Sequence, residues 1–216
     1  MKINVIVPAG GTSSRFGATN KLIEEIDGKT VIEHSVDAFC IDKIDEIIIP
    51  ANETIIDILK DKFKNNPKVK IILGGSCRQM SVYNGLKFSK CDYVLIHDGA
   101  RPMITKELVE LVIDTVITKK ALTVATKTID TIKEVENDKI IKTIDRSKLY
   151  NTQTPQAFDY ELILNAHKKF EGENYTDDAG MLEDAGIDVY IVNGSYKNLK
   201  ITTKADLDIA KVYLEE

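Results

Sequence analysis

The sequence predicts an α/β fold: a mostly parallel sheet flanked by helices, with a β-hairpin arm protruding from it. Three observations carry this. Short apolar runs of strand character alternate with helix-like segments through the first two-thirds of the 216 residues, the pattern of a parallel sheet covered by helices. The first of these runs leads straight into a glycine-rich turn. Later in the chain, two alternating stretches flank a tight polar turn and interrupt the rhythm.

Taken in order, strands are expected at Ile3–Val7, Glu46–Pro50, Lys70–Leu73, Tyr93–His97 and Ala121–Ala125. Helical patterns lie between them at Val31–Phe39, Glu53–Lys64, Gln79–Ser89 and Lys106–Thr118. Ser76 and Gln79 have capping-box spacing, which would start the third helix just after Gly74-Gly75. Thr105 suits the N-cap of the fourth. From Asp130 to Thr154 the pattern changes: Thr131–Glu136 and Lys139–Ile144 flank Asn137-Asp138 and read as a β-hairpin. Such an arm has too little core of its own and packs on something else. One domain spanning 1–216 is therefore expected, with 130–154 as a dimerisation arm and a homodimer as the assembly. The chain then returns to α/β, with helices at Tyr160–Lys169 and Asp177–Ala185, strands at Val189–Val192 and Leu199–Thr202, and a last helix from Lys204.

Bulk properties narrow the function classes. A chain of this length with 43% hydrophobic residues can bury a core without disulfides or metals. The formal net charge of -5 argues against a nucleic-acid-binding surface, though a few placed cations still suffice for a small anion. Cys40, Cys77 and Cys91 form no CxxC pair, so neither a disulfide framework nor a zinc site is expected. No secretory signal follows Met1-Lys2, and no run approaches the ~20 apolar residues of a membrane helix. A soluble, cytoplasmic protein without nucleic-acid or membrane partners is the expectation.

The chemistry begins in the loop Pro8-Ala9-Gly10-Gly11-Thr12-Ser13-Ser14-Arg15-Phe16-Gly17, with Lys21 beyond it. Ligands of open parallel sheets bind outside the carboxyl ends of strands. Glycines let backbone N–H groups approach phosphate oxygens, and Arg15 and Lys21 add charge suited to them. An ordinary strand-to-helix turn would carry the same glycines. The P-loop pattern fails because Ala18-Thr19 follow Gly17, and the dinucleotide pattern fails because Gly10 and Gly11 are adjacent.

Further along, His97-Asp98-Gly99-Ala100-Arg101-Pro102 ends a strand. Asp98 there can hold Mg²⁺ or a ribose hydroxyl, or simply cap a turn; His97 is assigned no chemistry. Arg146 with Thr152 and Thr154 can hold a phosphate or form an ordinary turn. Thr176 is read as a helix N-cap first and a ligand second. Lys200 points opposite to Leu199 and Ile201, toward a cleft or toward solvent.

The stretches PAGGTSSRFG, NKL, GGSCRQMSV, HDGARP, DTIK, IDRSKLYNTQTPQAF, TDDAGMLE and NLKIT occur in one order along the chain. In that order they resemble the 2-C-methyl-D-erythritol 4-phosphate cytidylyltransferase family of the non-mevalonate isoprenoid pathway, over essentially the whole length. The resemblance implies a Rossmann-like nucleotidyltransferase fold, a homodimer made by the arm, CTP as donor, a small polyol phosphate as acceptor and Mg²⁺ as cofactor. It implies that Arg15 and Lys21 act on the triphosphate, and that Ala9, Gly10, Gly11, Gly75, Ser76 and Ser81 frame the cytosine end. Asp98 and Gly99 would meet the ribose and the metal. Arg101, Thr176 and Lys200 would hold the acceptor, joined by Thr131 and Arg146 from the arm of the other subunit. Arg146 and Lys200 would also position the attacking phosphate. Two other readings share parts of this pattern. A ribitol 5-phosphate cytidylyltransferase shares the front half and the arm but tends to differ at Thr176-Asp177-Asp178-Ala179. A non-catalytic nucleotide sensor would be expected to lose Arg15, Lys21 or Lys200.

Overall fold

The computed structural model describes residues 1–10, 16 and 20–215. Gly11 and Arg15 of the glycine-rich loop lie outside the described residues. The order of elements is β1 (Ile3–Ile6), β2 (Glu25–Ile26), β3 (Lys29–Thr30), α1 (Val31–Asp37), β4 (Glu46–Ala51), α2 (Ile56–Lys62), β5 (Val69–Leu73), α3 (Arg78–Phe88) and β6 (Tyr93–Ile96). It continues with α4 (Lys106–Lys119), β7 (Ala121–Lys127), β8 (Lys133–Glu136), β9 (Lys139–Thr143), β10 (Tyr150–Asp159), α5 (Tyr160–Lys169), α6 (Asp178–Asp184), β11 (Tyr190–Asn193) and α7 (Lys204–Glu215).

Among the described residues, seven strands form one sheet in the order β11-β7-β10-β6-β1-β4-β5. The pairs β1/β4, β1/β6, β4/β5 and β7/β11 are parallel. Only β10 runs the other way, antiparallel to both β6 and β7. Every residue of β1 and β6 is buried. That explains their predominance of Ile, Val and Leu, since helices cover both faces of a parallel sheet; Asn4 is the polar exception, and its side chain donates to the Ser89 hydroxyl. Two apolar clusters result, one on each face. One is centred on Val5, Ile47, Leu95 and Val112, the other on Ile6, Ile48, Phe158 and Leu182.

Local chemistry sets several boundaries. Thr30 caps α1 in a full capping box with Glu33, and Thr105 caps α4 as the sequence predicts. The box expected at Ser76 and Gln79 does not form. Cys77 is the N-cap of α3, and the Gln79 Oε1 instead accepts from the Tyr175 amide. Thr176 is likewise not a cap: Asp177 caps α6 by accepting from the Gly180 amide, because a carboxylate is the stronger acceptor.

The expected strand Leu199–Thr202 is also absent. The Ile201 amide donates to the Ala100 carbonyl at 2.8 Å, which ties this extended segment beside the end of β6 without a ladder. The arm is a hairpin of β8 and β9, beginning at Lys133 where the sequence suggested Thr131. Its turn residues Asn137 and Asp138 have φ of 47° and 61°, the left-handed pair a two-residue hairpin turn demands. Both arm strands are exposed throughout, Val135 and Ile140 included. Among the described residues, no helix is long and apolar enough to cross a membrane.

Candidate active site

The carboxyl ends of β1 and β6 open into a cleft, at the point where the strand order departs to either side of β1. A cavity of about 160 Å³ is lined by Pro8, Gly10, Lys21, Leu22, Arg78, Asp98, Gly99, Ala100 and Lys200. Beside it a second cavity of about 270 Å³ involves Arg101, Thr154, Gln156, Thr176 and Asp177. Arg78, Asp98 and Lys200 line both. They form the wall between the two.

The first cavity is shaped by backbone. Ala9 continues β1 as an isolated bridge to Ala51, and Gly10 follows it. The Gly75 amide donates to the Ser81 Oγ at 3.0 Å, and that hydroxyl donates to the Cys77 carbonyl at 2.9 Å. A Cβ on Gly10 would meet the Ser81 Oγ at 2.7 Å, and one on Gly75 would collide with Met80. Close approach to helix backbone thus requires glycine at position 75, while at Gly10 the tight contact is with the Ser81 hydroxyl alone. Ser81 is fully buried beneath this surface, while Ser76 is exposed.

The wall is ionic. The Asp98 Oδ1 receives the Arg78 Nε at 3.0 Å, and its Oδ2 receives the Lys200 Nζ at 2.7 Å. Arg78 reaches onward through Nη1 to the Asp178 Oδ2 at 2.8 Å, and the Asp178 Oδ1 faces the His167 Nε2 at 3.1 Å. Burial alone would push the Asp98 carboxyl up, but Arg78 and Lys200 outweigh it and hold it far below the usual carboxylate range. Asp178 behaves alike: burial opposes ionisation, and Arg78 with His167 overcomes it. For Arg78, burial works against its charge and is exceeded by the two carboxylates, so its guanidinium stays protonated.

The second cavity is braced by a hydrogen-bond network around Thr154, which the sequence reading left open as a phosphate contact or a turn residue, and His97, to which it assigned no chemistry. The Thr154 Oγ1 accepts from the Asp98 amide at 3.0 Å and lies 3.1 Å from the His97 Nδ1. The His97 Nε2 lies 3.2 Å from the Arg101 carbonyl. With the hydroxyl proton given to Nδ1, this network assigns a neutral ring bearing its proton on Nε2. Burial agrees, pulling the His97 pKa down to about 4. Arg101 donates through Nη1 to the Asn198 carbonyl at 2.8 Å, while its buried Nε has no hydrogen-bond partner and sits 3.9 Å from the Asp98 Oδ2. An orphaned guanidinium N–H at a cavity wall is a donor that an entering anion would satisfy.

The structure therefore brings together Gly10, Lys21, Asp98, Gly99, Arg101, Thr176 and Lys200. Lys21 donates to the Ile201 carbonyl at 2.6 Å, fastening its segment to the one that carries Lys200. Ile201 is fully buried and Lys200 lines the cleft, one of the two directions that its alternation left open. Thr131 and Arg146 are not part of these cavities. Both are exposed on the arm, where Arg146 donates to the Ile129 carbonyl. No cluster of three or more His, Cys, Asp or Glu side chains able to hold a metal occurs among the described residues. Asp98 lines the first cavity and could serve with substrate phosphates as the one carboxylate of a Mg²⁺ site, but its two oxygens are paired with Arg78 and Lys200, one of which would have to give way.

Sequence reasoning missed Arg78. A signal was present: an arginine opening a helix stands where the dipole disfavours a cation, which asks for nearby carboxylates.

A family model described as 2-C-methyl-D-erythritol 4-phosphate cytidylyltransferase matches residues 3–216. A protein of that name from Halalkalibacterium halodurans is 40% identical over 224 residues, covering 100% of this chain and 98% of its own. One from Dictyoglomus thermophilum is 42% identical over 217 residues, covering 95% and 94%. Among solved structures, the 4-diphosphocytidyl-2C-methyl-D-erythritol synthase of Anaerococcus prevotii superimposes with a TM-score of 0.88 at 34% identity, covering 100% of this chain and 96% of its own.

Proposed function

The chain belongs to the 2-C-methyl-D-erythritol 4-phosphate cytidylyltransferase family, and on that premise we propose how its own residues divide the reaction between two adjoining cavities. The enzyme transfers the cytidylyl group of CTP to 2-C-methyl-D-erythritol 4-phosphate, giving 4-diphosphocytidyl-2-C-methyl-D-erythritol and pyrophosphate in isoprenoid precursor synthesis. One observation supports the division most directly: Arg78, Asp98 and Lys200 line both cavities, where two anionic substrates would meet.

In this reading CTP enters the cavity of Gly10, Lys21 and Gly99. The backbone of Ala9, Gly10, Gly75 and Ser76 frames the cytosine, with Ser81 holding that frame from beneath. Asp98 and Gly99 meet the ribose. The acceptor lies against Arg101 and Thr176. An oxygen of its phosphate forms a bond to the α-phosphorus, the bond from that phosphorus to the bridging oxygen breaks, and pyrophosphate departs with the electron pair. The attacking oxygen is already anionic, so no general base is needed. What remains is alignment and the offsetting of anion repulsion. Lys21 and Lys200, which both line the donor cavity, supply positive charge, and Arg15 and Gly11 would act on the triphosphate as the family's motifs imply. Mg²⁺ bound with the triphosphate would neutralise part of its charge, with Asp98 as the nearest carboxylate. Thr131 and Arg146 are exposed on the arm and line neither cavity, which favours a homodimer whose arms complete each other's acceptor sites.

Pyrophosphate release from CTP with methylerythritol phosphate and ribitol phosphate offered separately tests this. Release with the first alone is expected. Release with ribitol phosphate at an equal or higher rate would overturn the acceptor assignment.

A further inference from the structure

A buried carboxamide lies among the lining residues of the acceptor cavity, with its hydrogen bonds directed to α6 and Thr123. Gln156 lies in β10 and is wholly inaccessible. Its Oε1 accepts from the amides of Asp178 at 3.0 Å and Ala179 at 3.2 Å. Its Nε2 donates to the Thr123 Oγ1 at 3.0 Å and to the Asp177 Oδ2 at 2.9 Å. These four bonds fix which end of the amide is which, because the oxygen meets only donors and the nitrogen meets oxygens that can accept.

The consequence reaches the reacting centre in short steps. Gln156 satisfies two of the amides that open α6, where helix N–H groups otherwise have no partner. It also orients Asp177, whose other oxygen caps the Gly180 amide. With the start of α6 fixed, Asp178 faces Arg78, and Arg78 faces Asp98, the partner of Lys200. Thr176 precedes this fixed turn and lines the acceptor cavity. On the other edge of the same strand, the Gln153 Nε2 donates to the Ser195 carbonyl and its Oε1 accepts from the Asn198 Nδ2, which steadies the loop leading to Lys200.

We propose that Gln156 is a positioning residue for the acceptor, holding the first turn of α6 so that Thr176 and the Asp178–Arg78–Asp98 chain present one fixed surface to the acceptor's phosphate and polyol. This rests on the reading that the acceptor lies against Thr176. Gln156 itself need not touch substrate. Misplacement of a supporting group by about an ångström can cost on the order of a hundredfold.

The test is an exchange of donor and acceptor between the two partners. Gln156→Glu sets a carboxylate against that of Asp177. The double variant Gln156→Glu/Asp177→Asn restores a donor to that contact while leaving an oxygen for the Gly180 amide. Steady-state KM for methylerythritol phosphate, Kd for CTP by calorimetry and melting temperature are measured for each, with Thr176→Ala alongside. We expect Gln156→Glu to raise the acceptor KM about tenfold or more, with the CTP Kd within about twofold of wild type, and the double variant to recover most of that loss. An unchanged acceptor KM in Gln156→Glu overturns the proposal, as does a double variant no better than the single one. Equal weakening of CTP and acceptor would mark a merely structural role and overturn it too. If Gln156→Glu does not fold, Gln156→Met is judged by the same KM and Kd criteria. Thr176→Ala separates the two levels: an unaltered acceptor KM there removes the acceptor reading itself, whereas a raised KM there beside a normal one at Gln156 removes only the present proposal.

Discussion

On the proposed donor side of the cleft the walls are backbone, with Gly10, Gly74 and Gly75 closed around the Ser81 hydroxyl. On the proposed acceptor side they are side chains: Arg101 and Thr176 at the surface, with Gln153, Thr154 and Gln156 bracing them from β10. The difference suits the ligands. A flat pyrimidine can be read by close approach and main-chain groups, which Cβ atoms would obstruct. A flexible polyol phosphate presents charge and scattered hydroxyls, which call for long side chains held still. The ionic wall of Arg78, Asp98 and Lys200 belongs to both halves, so a change there should not respect the division, and changes on either side should.

The largest effect is expected at that wall. Lys200→Ala removes a cation 2.7 Å from Asp98 that also faces both cavities. Turnover should fall by about 10²–10³-fold, the cost of losing one charge-stabilising donor, and the acceptor KM should rise as well. Lys21→Ala should lower turnover by a similar factor while leaving the acceptor KM close to wild type, because Lys21 lines only the donor cavity. Steady-state kinetics with each substrate varied in turn decides it. Identical KM patterns for the two variants would break the division.

The two halves also differed in how far the sequence disclosed them. The proposed donor side follows from a strand emptying into glycines, and β1 and β6 announce themselves because burial on both faces leaves them mostly apolar, with Asn4 of β1 the buried polar exception. The hairpin arm was legible from the two alternating stretches flanking Asn137-Asp138, whose positive φ angles make the turn. The acceptor side was not. Its central element, β10, reads as a polar loop because Gln153, Thr154 and Gln156 spend their side chains on hydrogen bonds within the fold and not on an apolar face. Leu199–Thr202 failed in the opposite sense: it has the alternation of a strand, yet Ile201 alone is bonded to the chain beside it. Thr176 was read as the cap one residue before Asp177, where a carboxylate outcompetes a hydroxyl. Recognition of the family by its motifs supplied the proposed acceptor residues that pattern reasoning alone left open, but not Arg78 or Gln156, whose contacts depend on partners 100 and 21–23 positions distant.

Acid should separate the halves next. His97 braces the Asp98–Arg101 turn as a neutral ring, and burial lowers its pKa from 6.5 to about 4. The unfolded chain binds the proton near the ordinary value, so between these values it holds more protons than the folded chain, and stability rises with pH. This contribution is fully present above about pH 6.5 and is lost as pH falls toward about 4, amounting to about 3 kcal/mol. Asp98 and Asp178 are held below the ordinary 3.8, so their contributions disappear only at still lower pH. Urea denaturation across this window should show a steep loss for wild type and a flatter one for His97→Gln. Parallel curves for the two would remove His97 from the acid response.

The smallest effects sharpen the backbone half, where two glycines make unequal demands. A Cβ on Gly75 collides with both the side chain and the main chain of Met80 in the first turn of α3, and helix backbone cannot turn aside. Gly75→Ala should therefore cost about 1–3 kcal/mol, the usual price of overpacking, and appear as weaker CTP binding with the acceptor KM unchanged. A Cβ on Gly10 meets only the Ser81 Oγ closely; the next atoms stand at 3.7 Å and 3.8 Å. Gly10→Ala should consequently be milder than Gly75→Ala, and Ser81→Ala should relieve it, so the pair Gly10→Ala/Ser81→Ala should bind CTP no worse than Ser81→Ala alone. Calorimetric CTP affinities of these four variants make the comparison. Additive losses in the double variant would mean that Gly10 is excluded from bearing a side chain by the nucleotide and not by Ser81, which would move the closest approach of the donor from Gly75 to Gly10.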